Sequence, residues 1–128
     1  KKFIIKIENE NYFDLNNDFE VNTKEIVIRL RKSCRLKIID SSYILSRYNK
    51  VELIPSDNNL NQTNDYRFES REGEMMISQF SSGEYTFALS KIFGNSVLEK
   101  LEFPNKFFIE EDKILEINLQ ELMKENTK

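Results

Sequence analysis

The stretch that decides the fold class is residues 83–90, GEYTFALS. Tyr85, Phe87 and Leu89 alternate with polar or small residues, which is the two-residue period of a strand with one buried face. Gly83 comes directly before them, and glycine adopts a positive φ at little cost. We therefore expect Gly83 to form a tight turn and to fix the register in which the three apolar side chains face inward.

The same period runs through most of the chain. About nine short alternating segments are separated by Asn, Ser, Asp and Gly, a spacing typical of sandwiches and barrels. They are 26–30, 36–38, 51–53, 66–68, 75–77, 85–89, 97–103, 107–109 and 115–119. Pro55 is expected to end its strand or lie at an edge, and the Asn-rich stretch 58–64 is expected to be a solvated loop. Only the tail after Leu119 has helical spacing.

These patterns predict an all-β fold, namely a two-layer antiparallel β-sandwich with a short C-terminal helical tail. One domain is expected, because 128 residues support a single core. The net charge of −3 offers no field that recruits nucleic acid, and no apolar run is long enough for a membrane-spanning helix.

Several residue types that enzymes use are missing. The chain has no histidine, which removes the usual general base and the commonest zinc ligand. Its single cysteine, Cys34, has no histidine partner and is expected to be a small buried hydrophobe. Three glycines are too few for a phosphate-binding loop. We therefore expect no enzymatic activity, no catalytic residues, no cofactor and no metal.

The segment 72–89 resembles the carboxypeptidase regulatory-like family of transthyretin-like (prealbumin-like) domains. The positions that match the family's pattern are Glu72, Gly73, Met75, Ile77, Phe80, Gly83, Tyr85, Phe87 and Leu89. The resemblance covers roughly residues 34–119 and implies a transthyretin-like or immunoglobulin-like sandwich. Two departures are that Arg35 stands near the family's early glycine and that the Gly-x-Pro turn after Asp40 is absent. Another immunoglobulin-like sandwich with the same turn is the alternative.

This resemblance divides the chain into 34–119 for the sandwich, 1–33 for N-terminal strands or a hairpin, and 120–128 for the tail. A weak internal repeat adds to the division. The pattern of 19–30 is similar to that of the closing hairpin, 107–119, so 1–33 is either an extra hairpin or the end of a preceding module.

Known chemistry on similar folds finds few matching residues here. Transthyretin-like hydrolases depend on histidines, and metallocarboxypeptidases keep their zinc in a separate domain. Similar pilin domains form a Lys–Asn isopeptide bond assisted by a glutamate, but the glutamate's position is Leu89 here. The candidate pair, Lys37 and Asn118, lies on the polar, solvent-facing sides of its strands. The acidic run 110–112 is expected to be a charged turn, since no further oxygen ligands for calcium accompany it.

The candidate ligand-binding residues are Tyr43, Tyr48 and Tyr66, which lie in or near the predicted end loops. The leading expectation is a non-catalytic structural or adhesive module of a larger exported or surface-associated bacterial protein, located outside the cell, in the periplasm or at the cell surface. Its partners are then other domains of the same polypeptide and a surface protein or glycan, without nucleic acid or membrane insertion by this segment. The alternative is a module that binds a peptide or glycan through its end loops.

Overall fold

The structure, a computed structural model, describes residues 2–8, 11–20 and 30–126. Its elements in chain order are β1 (Lys2–Ile7), β2 (Leu15–Glu20), β3 (Cys34–Ile39), a 3-10 helix (Ile44–Arg47), β4 (Lys50–Pro55), α1 (Asn58–Thr63), β5 (Arg67–Arg71), β6 (Glu74–Phe80), β7 (Gly83–Phe93), β8 (Ser96–Ile109), β9 (Ile114–Asn118) and α2 (Leu119–Asn126). The predicted strand at 26–30 falls almost wholly outside the described residues.

The expected two-layer sandwich with a short C-terminal helix is confirmed. One sheet has four strands in the order β5-β6-β3-β9, and the other has three in the order β4-β7-β8. Strands β1 and β2 form a separate antiparallel hairpin. The alternation of apolar and polar residues explains the two layers, because each sheet buries one face against the other.

The core lies between the two sheets and uses the predicted residues. Tyr85, Phe87 and Leu89 of β7 are buried, as are Leu36 and Ile38 on the facing sheet. The ring of Tyr85 meets Phe80 edge-on with centroids 5.4 Å apart, and aromatic pairs of this geometry stabilise beyond the area that they bury. Cys34 is also buried in this core, as expected.

Gly83 begins β7 at the point where the chain crosses from one sheet to the other. Its φ is +157°, and a Cβ built there would lie 2.6 Å from Cδ1 of Leu60 in α1. The preceding residues, 81–82, connect β6 in the four-stranded sheet with β7 in the three-stranded one. The expected positive φ is confirmed, and the close approach of α1 adds a second reason for glycine.

One pairing departs from the antiparallel arrangement. Strands β3 and β9 are parallel, with Arg35 opposite Ile114 and Ile39 opposite Asn118. Parallel neighbours need a long connection, and here the connection is the whole sandwich between the first and last of its strands. A period of two is the same for both kinds of pairing, so the sequence does not distinguish them.

Two local expectations were wrong. The segments 97–103 and 107–109 are one strand, β8, because Pro104 lies on the outer strand of the sheet, where no ladder donor is needed. Residues 58–63 form helix α1 where a loop was expected. Asp57 caps this helix by accepting a hydrogen bond from the Asn59 N–H at 3.0 Å.

The N-terminal segment 11–14 is bound to the sandwich by Gln79. The Gln79 Nε2 donates to Tyr12 O at 2.7 Å, and the Asp14 N–H donates to Gln79 Oε1 at 2.7 Å. The Gln79 side-chain amide thus donates to and accepts from the backbone of this segment, as the backbone of a neighbouring strand would. Gln79 has a φ of 65°, and this left-handed conformation lies at the register shift between β6 and β3. The assignment of 1–33 to a preceding module stays a prediction.

Candidate binding groove

A groove runs along one side of the sandwich, where the edge strands β4 and β5 face each other. Its larger part is a cavity of about 650 Å³, and its smaller part is a cavity of about 420 Å³. Val51 of β4 and Phe68 of β5 line both cavities, so the two parts adjoin. We call the two cavities together the edge groove.

The structure places all three predicted tyrosines in this groove. Tyr43 and Tyr48 line the larger cavity, and Tyr66 lines the smaller one. Tyr43 and Tyr48 lie in the connection between β3 and β4, and Tyr66 lies between α1 and β5. The two connections converge because β4 and β5 are neighbouring edges of opposite sheets.

Tyr43 lies at the larger cavity because Asp40 fixes its loop. The buried Asp40 carboxylate accepts hydrogen bonds from the backbone N–H of Ile44 at 2.7 Å and of Leu45 at 2.9 Å, at the start of the 3-10 helix. Tyr43 precedes that helix with a φ of 55°, a left-handed conformation that is costly for a large side chain. Its exposed hydroxyl donates to Glu72 Oε1 at 3.3 Å.

Tyr48 is held at the other end of the same 3-10 helix. Its hydroxyl donates to Glu99 Oε1 of β8 at 3.4 Å. Partial burial and the nearby Glu99 carboxylate raise the pKa of Tyr48, so it stays a neutral donor at physiological pH. Its half-buried ring forms part of the cavity wall.

Tyr66 serves the core more than the groove. Its ring stacks on Phe80 at a centroid distance of 5.9 Å, and its hydroxyl accepts a hydrogen bond from Asn64 Nδ2 at 3.0 Å. The same Asn64 amide donates to the Tyr85 hydroxyl at 3.1 Å. Burial raises the pKa of both tyrosines, that of Tyr85 to about 12.

Apolar residues of the groove were not predicted as site residues. Phe68 is 43% exposed although it is a large aromatic side chain, and Met75 and Val51 line the same wall beside it. The sequence predicts only a strand at Phe68, because the segment 66–68 contains no proline or other residue that marks an edge strand. Arg71, at the end of β5, adds a cation to the larger cavity.

Strand β4 also offers backbone groups to the groove. The Ser56 N–H donates to Glu84 O of β7 at 2.9 Å. Because successive residues of an antiparallel strand direct their backbone groups to opposite sides, Val51 and Leu53 direct theirs away from β7, towards the groove. The groove wall therefore combines apolar side chains with a strand edge that no described strand pairs with.

Other sequence candidates lie elsewhere. In the 110–112 turn, Asp112 accepts a hydrogen bond from Lys32 at 3.0 Å, and within the described ranges no group of three or more His, Cys, Asp or Glu side chains is arranged for a metal. Lys37 pairs with Glu74 at 3.3 Å, and Asn118 pairs with Ile39 in the ladder.

Cys34 is unsuited to nucleophilic chemistry. Burial, aided by Glu111, raises the pKa of its thiol to about 12, so the thiolate is not formed near neutral pH. The Sγ lies 3.7 Å from Ile109 O.

Comparisons with protein-family models, with curated proteins and with solved structures found no match. In the part of the chain that the structure describes, no helix is long and apolar enough to cross a membrane. The resemblance to carboxypeptidase regulatory-like domains stays a prediction.

Proposed function

We propose that this chain is a non-catalytic β-sandwich module that binds an extended peptide segment in the edge groove. The observation that carries the proposal is the position of Phe68, which is 43% exposed between two facing strand edges and beside the loop of Tyr43 and Tyr48. A concave surface with exposed aromatic side chains favours binding over a purely structural role.

The free edge of β4 favours a peptide over a glycan. An extended peptide adds to a sheet edge through main-chain hydrogen bonds, while its alternate side chains enter apolar pockets. Val51 and Leu53 supply the main-chain groups, and Phe68 and Met75 supply an apolar wall. The aromatic stacking that a sugar requires is weaker here, because the Tyr66 ring is already stacked on Phe80.

The wider setting belongs to the same proposal. The chain acts as one module of a larger exported or surface-associated bacterial protein, as its resemblance to carboxypeptidase regulatory-like domains suggests. The absence of histidine and the raised pKa of Cys34 support a role without catalysis. A structural spacer is the competing role, and it is favoured by exposed ion pairs such as Lys50–Glu52 on the outer sheet face.

A display library of random peptides tests the proposal. Peptides selected on the wild-type chain are expected to bind Phe68→Ser at least about tenfold more weakly, since a central apolar contact contributes more than about 1.4 kcal/mol to binding. The matched control is Phe108→Ser, which removes another exposed phenylalanine, 64% exposed, from β8 outside the groove. Failure to enrich any peptide, or equal binding to both variants, contradicts the proposal and leaves the spacer role.

A further inference from the structure

Strand β8 presents the longest free edge among the described strands. Among the described residues it pairs with β7 alone, and with β7 it forms a ribbon that extends past the end of β4, whose ladder with β7 stops at Ser90. At the tip of this ribbon Phe93 is 77% exposed, and Val97 and Leu98 are also exposed. Unpaired edges with exposed apolar residues tend to pair with another strand.

The base of the ribbon is held in place by Asn49. Its Nδ2 donates to Ile92 O at 2.6 Å, and the Ile92 N–H donates to its Oδ1 at 2.8 Å. The side-chain amide continues the sheet where β4 ends. The edge of β8 is thus held in a fixed position, which lowers the entropic cost of ordering it when a partner binds.

The charges along β8 are complementary to a second copy of the same strand. Lys100 and Glu102 flank Leu101 on the outer face of the sheet and pair with each other at 3.1 Å. When two β8 strands pair antiparallel about Leu101, Lys100 of each copy lies opposite Glu102 of the other. A lysine on an edge normally opposes self-pairing, but here the facing glutamate compensates for it.

The other edge of the sheet serves as an internal comparison. Strand β4 carries the same spacing, with Lys50 paired to Glu52 at 3.0 Å. Its free edge faces β5 across the edge groove, and Pro55 has no N–H to donate. A second copy therefore has less access to β4 than to β8.

We infer that two copies of this chain associate through β8, antiparallel and centred on Leu101, to join their three-stranded sheets into one of six strands. Pro104 ends the new ladder at the position opposite Leu98, so Asn105, where β8 contacts helix α2, lies outside the ladder. The symmetric arrangement places the same patch on both copies, as a two-fold interface requires. This inference does not rest on the proposed peptide binding.

Sedimentation equilibrium of the full chain, at concentrations up to about 1 mM, tests the association. The wild type is expected to form dimers. Lys100→Glu and Glu102→Lys are each expected to weaken them on the order of tenfold, because like charges then face each other twice. A mixture of the two variants is expected to form a heterodimer, since every 100–102 contact between them is again between opposite charges.

The matched control is Lys50→Glu, which makes the same change on β4 and is expected to leave the wild-type mass distribution intact. Each variant's circular dichroism melt is recorded to show that it is folded. A wild type that stays monomeric at the highest concentration overturns the inference. So does a dimer that Lys50→Glu disrupts and Lys100→Glu does not, or a mixture that stays monomeric while the wild type dimerises.

Discussion

The two long sides of the sandwich differ in whether the gap between the sheet edges is covered. On the side of β8 and β9, helix α2 covers the core with Leu119 and Leu122, which are both buried, and Asn105 of β8 donates to Glu125 of α2 at 3.3 Å. On the side of β4 and β5, the edge groove stays open and leaves Phe68 partly exposed.

The difference shows what strand alternation does and does not accomplish. A period of two buries one face of each sheet, but it does not cover the gap between the sheet edges. The closed side needs a separate amphipathic segment, the last helix of the chain. The open side has no such cover among the described residues, so part of its apolar edge is exposed.

The largest expected effect is on the closed side. Leu119→Ala removes a fully buried side chain from the start of α2 and should lower the free energy of unfolding by about 2–5 kcal/mol. Chemical denaturation followed by circular dichroism measures this loss. A loss below about 1 kcal/mol would mean that α2 does not close the sandwich.

Gly83→Val tests the junction of β7 with α1, beside the open groove. The new side chain meets Leu60 Cδ1, which lies 2.6 Å from the position of a Cβ, and the expected cost is about 1–3 kcal/mol. Thermal melts of Gly83→Val in the wild type and in a Leu60→Ala background separate the causes. If contact with Leu60 is the main cause, Gly83→Val lowers the melting temperature less in the Leu60→Ala background. If Gly83→Val leaves the melting temperature of the otherwise wild-type chain unchanged, the tight junction is ruled out.

The stability at alkaline pH tests how strongly burial raises the pKa of the Tyr85 hydroxyl. Burial raises the pKa of Tyr85 from 10.0 to about 12, so the native state keeps a proton that the unfolded chain releases. The resulting stability is complete below pH 10 and is lost between pH 10 and about 12, with a slope of at most about 1.4 kcal/mol per pH unit. The free energy of unfolding of Tyr85→Phe, measured by denaturation across this range, should fall less steeply with pH than that of the wild type.

The Cys34 thiol is a second group whose titration lowers the stability at alkaline pH, and it can be told apart from Tyr85. Its pKa is raised from 9.0 to about 12 by burial, so its contribution begins to fall one unit lower, at pH 9. Cys34→Ala should abolish the loss between pH 9 and 10 while the later loss persists. A stability that is flat up to pH 12 in the wild type contradicts both assignments.

The smallest expected effect on stability is at the open side. Phe68→Ser should lower the free energy of unfolding by only about 1–2 kcal/mol, because nearly half of this residue is already in water. Chemical denaturation of this variant and of Leu119→Ala under the same conditions gives the comparison directly. A loss as large as that of Leu119→Ala would show that Phe68 is a core residue and that the groove is not open.

Much of the sandwich was predictable because its core residues follow one local rule. Tyr85, Phe87 and Leu89 were expected inside and are buried. Helix α1 was missed because its residues, NNLNQT, carry one apolar side chain and no helical period. Asp57 was the available signal, since an aspartate directly before such a segment is a good helix cap.

The groove was only partly predictable, for a different reason. Tyr43, Tyr48 and Tyr66 were proposed from their residue type and loop positions, and the structure brings them to one side. Phe68 was not proposed, because its value depends on β5 being an edge strand opposite β4, which is a property of topology. Strand order arises from pairings distant in sequence, and a local period does not encode it.

The parallel pairing of β3 with β9 has a mechanical consequence. The sandwich begins with β3 and ends with β9, and five residue pairs from Arg35–Ile114 to Ile39–Asn118 join them side by side. When tension is applied at Cys34 and at Asn118, the two strands are drawn past each other lengthwise, and the slanted ladder bonds are strained together instead of opening one by one. A sandwich connected in this way resists being pulled from its two ends more than from within one hairpin.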